Sequence, residues 1–200
     1  MTPISNELMD ALREIINIGV GKAAGTLNEL LAHHISLEVP QIVIIHPNDL
    51  DQHIHKQSEE TVSMVSLQFS GKFNGLSTLL FTSDSASKLV DLLIGEDVPG
   101  DDLDAIKTGT LTEVGNILLN AVMGSIGNIL DSRLSYAIPA YQEGSLKAIL
   151  LPMLQHESAA LEVTTRFTIR SRHITGEFLL LFEVGSFDSF VEILETSINA

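Results

Sequence analysis

The sequence predicts an α/β (α+β) fold: one pseudo-twofold domain in which two long helices pack on a joined, mainly antiparallel sheet, produced by an internal duplication. Three observations predict it. A helical segment holding Glu14 and Asn17 returns with Glu113 and Asn116 at the same three-position spacing. Each asparagine is followed 23 positions later by a proline, Pro40 and Pro139. The ends of the halves also agree: GLSTLLF at 75–81 matches GEFLLLF at 176–182, and VDLL at 90–93 matches VEIL at 191–194. The offset between halves is 99 at the Glu/Asn segment and 101 at the later matches, so two inserted residues reconcile them. A repeat of this kind sets the architecture before any finer reading.

The first helix starts at a Ser5 or Asn6 cap, with Glu7 and Asp10 in its first turns. Leu8, Leu12, Ile15, Ile16, Ala23, Leu27, Leu30 and Leu31 form its apolar stripe, and it runs to about Leu31 or His33. The run EVPQIVIIH at 38–46 reads as a strand opened by proline, whose fixed φ and missing N–H suit a strand start. Residues 47–60 are a polar loop. VSMVSLQF at 62–69 alternates as a half-buried strand does. Asn74-Gly75 signals a hairpin turn, residues 76–81 return, and 83–94 form a helix. An acidic Gly/Pro linker at about 95–104 joins the repeats, which cover about 5–95 and 103–198 within one domain over 1–200. The second long helix occupies about 103–130. Strands are expected at 136–141, 146–154, 161–170 and 177–184, and a closing helix at 187–196. Each repeat alone has one apolar sheet face and one long helix, so pairing the repeats buries both.

With 200 residues, 44% of them hydrophobic, the chain can bury a substantial core. It has no cysteine, which removes disulfide and thiolate chemistry and fits a reducing compartment. No signal peptide or bilayer-length apolar run is seen, so a cytoplasmic location and no membrane insertion are expected. The net charge of −15 supplies no basic footprint for nucleic acid and disfavours an anionic membrane surface. Protein partners are expected instead.

Residues i and i+3 are neighbours on a helix surface. Glu14 with Asn17, and Glu113 with Asn116, therefore each present a carboxylate beside a carboxamide, turned away from the apolar stripe. Asp10 lies one turn before Glu14. Gly19, Gly21 and Gly25 in the first helix, and Gly124 and Gly127 in the second, allow two readings: close packing of the helix, or room for a docking partner. Asn28 and Asn128 read as polar surface, and His33-His34 as residues facing the helix dipole. His53 and His55 beside Asp49 and Asp51 lack a third patterned ligand, so no metal site is assigned.

Asp or Ser, then Glu four positions on, Asn three further and Pro 23 further is a pattern that resembles the CheC-type response-regulator phosphatases, the family of CheC, CheX and FliY. Among these the chain looks most like CheC. Asp10, Glu14, Asn17 and Pro40 fill the first copy. Glu113, Asn116 and Pro139 fill the second, where Gly109 stands in place of Asp or Ser. The resemblance implies hydrolysis of the aspartyl phosphate on a CheY-like regulator. It implies no cofactor of the chain's own, Mg²⁺ being supplied in the partner's active site. Asn17 and Asn116 would position the attacking water, because a carboxamide both accepts and donates but is no base near neutral pH. Glu14 and Glu113 would pair with the regulator's lysine, and Asp10 would orient the site or meet the partner. The deamidase CheD is a second partner the resemblance implies. Two other readings stand beside the phosphatase: a non-catalytic adaptor for a regulator or CheD, and a flagellar-switch component like FliY.

Overall fold

A computed structural model describes residues 5–31, 34–45, 49, 52, 61–94, 103–150, 159–169 and 172–198. Its helices are α1 (Asn6–Leu31), α2 (Ser83–Ile94), α3 (Leu103–Ile129), α4 (Leu146–Leu150) and α5 (Ser186–Ile198). Its strands are β1 (Ile35–Ile45), β2 (Thr61–Ser70), β3 (Gly75–Thr82), β4 (Ser135–Tyr136), β5 (Ala140–Ser145), β6 (Ala159–Ile169) and β7 (Arg172–Phe182). They form one seven-stranded sheet in the order β1-β6-β7-β3-β2-β4, with β5 also on β2. Every pairing is antiparallel.

The two hairpins, β2–β3 and β6–β7, meet at the centre through β3 and β7. Their register carries the internal repeat. Shifting Leu76↔Leu181 by the 101-residue offset gives Leu80↔Glu177, and shifting Ser77↔Leu180 gives Leu79↔Phe178, all of which are observed pairs. The pair Thr78↔Leu179 maps onto itself and marks the local twofold. The outer strands cross over. β1, from the first repeat, pairs with β6 of the second, and β4 and β5, from the second, pair with β2 of the first. Each repeat thus completes the other's sheet.

α1 begins where Ser5 Oγ accepts from the Leu8 amide at 3.2 Å, an N-cap. Leu8, Leu12, Ile15, Ile16, Val20, Ala23 and Leu27 are buried along one face; the side chains of Leu30 and Leu31 lie outside the described set. α1 crosses α3 at Gly19. A Cβ added there would stand 2.6 Å from the Val122 Cα, so the two backbones touch. α3 in turn sits on β2, where a Cβ at Gly115 would meet the Val65 side chain at 2.6 Å. α3 ends with Asp131 in the left-handed region (φ 42°) and Ser132 N–H donating back to the Gly127 carbonyl at 2.8 Å. That is the bonding of a Schellman cap. At one end of the core, the Phe182 ring packs 5.0 Å from Phe190 and 5.2 Å from Phe187, which fixes α5 on the sheet.

Four expectations are corrected. Residues 146–150 form a helix, α4, where a strand over 146–154 was expected; 151–154 lie outside the described residues. Leu146, Ile149 and Leu150 bury against Val62, Met64, Leu80, Leu179 and Leu181, the sheet face opposite the long helices. A short apolar run has no period long enough to separate helix from strand. β2 is consequently buried on both faces over 62–67 rather than half-buried. Its Ser66 hydroxyl donates to the Ala140 carbonyl at 3.4 Å, and Ser77 on β3 donates to Leu67 at 3.0 Å, so polar residues there are bonded core. Pro40 does not open a strand: it lies within β1, at the register irregularity between Glu38 and Gln41. Pro139 lies at the matching gap between β4 and β5. β1 is an edge strand, and Pro139 lies just before the edge strand β5, positions where a missing N–H is tolerated. Asn28 is not free surface either. Its Nδ2 donates to the Ile35 carbonyl at 3.1 Å and its Oδ1 accepts from the Ile35 amide, which ties β1 to α1.

The strand expected at 136–141 is instead two, β4 and β5, interrupted at 137–139; the other elements follow the sequence reading within about five residues. The polar loop over 47–60 lies almost wholly outside the described residues, as do the linker over 95–102, His33, Asp51, His53 and His55. α1 stops at Leu31, so His34 follows the helix rather than closing it. Among the described residues, no helix is long and apolar enough to cross a membrane, and no His/Cys/Asp/Glu group could hold a metal ion.

Candidate functional site

On α1, Asp10, Glu14, Asn17, Gly21 and Gly25 follow one another at steps of four, three, four and four, and all are exposed. Such steps keep residues on one helix face. On α3, Gly109, Glu113, Asn116, Asn120 and Gly124 repeat the steps. Glu113, Gly109 and Asn120 are exposed, while Asn116 and Gly124 are half-buried. The structure therefore brings the predicted carboxylate and carboxamide of each copy onto the solvent side of a long helix. The opposite side of each helix is anchored in the core.

The glycines divide between the two readings. Gly19 and Gly127 are packing positions, the latter with the Ser132 carbonyl 2.9 Å from an added Cβ. Gly21, Gly25, Gly109 and Gly124 would meet nothing within 4 Å. On α1 the surface beyond Asn17 is consequently clear for an approaching protein, while on α3 the Asn120 side chain stands between Asn116 and Gly124. Glycine in an exposed helix interior costs about 1 kcal/mol relative to alanine, with no local packing here to require it.

The stripes differ at two places. Asp10 corresponds to Gly109, and Gly21 corresponds to Asn120. Asp10 pairs with Arg13 at 3.0 Å, and both side chains are well exposed. A pair so exposed contributes about 0–1 kcal/mol. It engages the residue one turn on, not Glu14 or Asn17. In the second stripe Asn120 Nδ2 donates to Asn116 twice, to its carbonyl at 2.8 Å and to Oδ1 at 2.6 Å. The sequence reading passed over Asn120, although its four-position distance from Asn116 is legible in the chain.

A second group of residues missed from sequence fixes the start of α3. Lys107 Nζ donates to Glu143 Oε1 at 3.1 Å. The Tyr141 hydroxyl donates to Glu143 Oε2 at 2.9 Å and lies 3.2 Å from the Ser63 hydroxyl. This chain ties the turn before Gly109 to β5 and β2. Lys107 and Glu143 are 36 residues apart, so no local pattern announces them. Hydrogen bonds from Lys107 first, then Tyr141, hold the Glu143 carboxyl below its ordinary value, while burial pushes the Tyr141 phenol up. A carboxyl with a depressed folded value stabilises the fold above its unfolded pKa and loses that contribution as the pH falls through the folded one. Chemical denaturation of wild type and Glu143→Gln should thus differ above about pH 4.5, the ordinary value. The difference should shrink steadily below it.

The fold is shared with solved FliY and CheX structures, and residues 7–44 match the sequence profile of the CheC-like family. The chain is 25% identical over 204 residues to the "CheY-P phosphatase CheC" of Bacillus subtilis (strain 168), covering 98% of this chain and 97% of that one. Its structure resembles Thermotoga maritima FliY with a TM-score of 0.74 at 20% identity, over 98% of this chain and 100% of that one. It also resembles a chain of the CheX-CheY-BeF3-Mg²⁺ complex of Borrelia burgdorferi, with a TM-score of 0.57 at 18% identity, over 86% of this chain and 99% of that one. The chain thus resembles CheC in sequence and shares its fold with FliY and CheX. The matched segment contains the first Glu/Asn pair and Pro40.

Proposed function

We propose that this protein is a phosphatase that hydrolyses the aspartyl phosphate of a CheY-like response regulator in chemotaxis signalling, acting beside that regulator in the cytoplasm. The observation that carries the proposal is the pair of matching stripes, each offering Glu and Asn to solvent beside cleared helix surface. The relative named as a CheY-P phosphatase supports it. So does the structural likeness to a CheX chain seen with CheY, beryllium fluoride and Mg²⁺.

The chemistry asked of the chain is small. An acyl phosphate is already activated, and the regulator's own Mg²⁺ neutralises phosphoryl charge. Asn17 or Asn116 reaches the phosphoryl group with its carboxamide. Its oxygen accepts from a water held in line with phosphorus, and its NH₂ donates to a phosphoryl oxygen. Water adds to phosphorus, the aspartate carboxylate leaves, and inorganic phosphate is released. Glu14 or Glu113 accepts a charge-assisted bond from the regulator's lysine and sets the register of docking. Asp10 adds a contact at the first site, held by Arg13. CheD is the second partner in this proposal.

The test is the decay of phosphoryl label on purified CheY-like regulators with Mg²⁺ present. Catalytic amounts of the protein, alone or with CheD, should accelerate it. Binding without acceleration in either case overturns the phosphatase reading and leaves an adaptor.

A further inference from the structure

We propose that Asn120 is a positioning residue for the second site: it locks the Asn116 carboxamide in the orientation that water placement requires. This rests on the phosphatase reading of the Glu/Asn pairs. Both protons of one NH₂ are used on Asn116, one on its main-chain carbonyl at 2.8 Å and one on Oδ1 at 2.6 Å. The first bond fixes where the Asn120 side chain lies along the helix. The second fixes which way the Asn116 amide faces. A carboxamide can flip its oxygen and nitrogen ends, and the two orientations present opposite polarity to a ligand. With Asn120 as donor, Oδ1 of Asn116 stays on the helix side and keeps a second lone pair for a water. Both N–H bonds of Asn116 stay available to a phosphoryl oxygen.

Nothing in the packing calls for an asparagine at this place. Asn120 is exposed, and asparagine is a poorer helix former than alanine. In the first stripe the matching residue is Gly21, beside which an added Cβ meets nothing within 4 Å. Among the described residues Asn17 has no such clamp. The second site, which lacks the acidic residue at Gly109, holds its asparagine in place. The first site has Asp10 and no counterpart of Asn120. A preformed orientation spends less of the docking energy on ordering the side chain. The gain falls on the chemical step, because Asn120 itself bonds Asn116 rather than the regulator.

The experiment isolates one site at a time. In an Asn17→Ala background, the rate of dephosphorylation of a phosphorylated CheY-like regulator with Mg²⁺ is measured against regulator concentration. Asn120→Ala should lower kcat about threefold with KM within about twofold, the mark of a group acting in the transition state rather than in docking. Thermal stability should hold or rise, since alanine is the better helix former. The converse variant, Gly21→Asn in an Asn116→Ala background, should raise kcat of the first site. An unchanged kcat on Asn120→Ala overturns the proposal, as does a loss confined to KM or one accompanied by a lower melting temperature. If Asn17→Ala alone already abolishes acceleration, the second site is silent and the proposal falls while the phosphatase reading stands. If wild type gives no acceleration, it is the phosphatase reading that fails, and this shows before Asn120 is altered.

Discussion

The variant carrying both Asn17→Ala and Asn116→Ala returns phosphoryl decay to the regulator's own rate. Loss of one positioned polar group at a reacting centre costs on the order of 10²-fold, and this variant has no second carboxamide to fall back on. Each single variant keeps one stripe and so part of the rate. The contrast with the carboxylates is the sharper half of the prediction. Glu14→Ala with Glu113→Ala removes docking bonds, so the regulator concentration needed should rise while bound regulator still turns over. The asparagine variant should bind as wild type does, because alanine at the exposed Asn17 and half-buried Asn116 leaves no buried group unpaired and keeps the helices. Measuring kcat and KM for both double variants separates water placement from anchoring. A double asparagine variant that still accelerates decay would place the chemistry elsewhere.

Gly19→Val should destabilise the fold by about 3 kcal/mol. The 2.6 Å approach from an added Cβ is to the Val122 main chain, with the Ala121 carbonyl at 3.2 Å. Neither is the end of a flexible side chain, so α1 and α3 must separate and lose packing on both sides of the crossing. For a domain of this size each kcal/mol moves the melting temperature by about 2–4 °C, so a fall of roughly 6–12 °C is expected. Gly21→Ala is the control. Two residues along the same helix it meets open space, so the propensity gain of about 1 kcal/mol should appear as stabilisation. Equal effects at the two positions would remove the helix crossing as the explanation.

The geometry of the candidate site was legible because it is local. A three-residue interval on a helix fixes which side chains are neighbours, and the interval recurs in the second repeat. The long helices and the hairpins were legible for the same reason, through their periods and turn residues. What escaped depended on contacts distant in the chain. LKAIL at 146–150 looks like strand until the face of β2 that it covers is known. Ser63 and Ser66, on opposite faces of β2, look like surface residues until the layers covering both faces are seen. The chain from Lys107 through Glu143 to Tyr141 requires the sheet to exist first. Pro40 was placed correctly as a structural mark but at the wrong point of its strand. An interruption within an edge and the start of an edge share the same local chemistry.

Because β1 completes the second repeat's sheet and β5 the first's, neither repeat could stand as a separate molecule without recruiting a second copy of itself. The chain amounts to a strand-exchanged dimer whose subunits have been covalently fused. Fusion has a consequence that assembly from identical subunits denies. In a homodimer every substitution appears at both sites at once; here each site can change while its twin is kept. Asp10 opposite Gly109, and Gly21 opposite Asn120, are such one-sided changes. They are the differences expected of two formerly identical sites that have begun to specialise within one backbone.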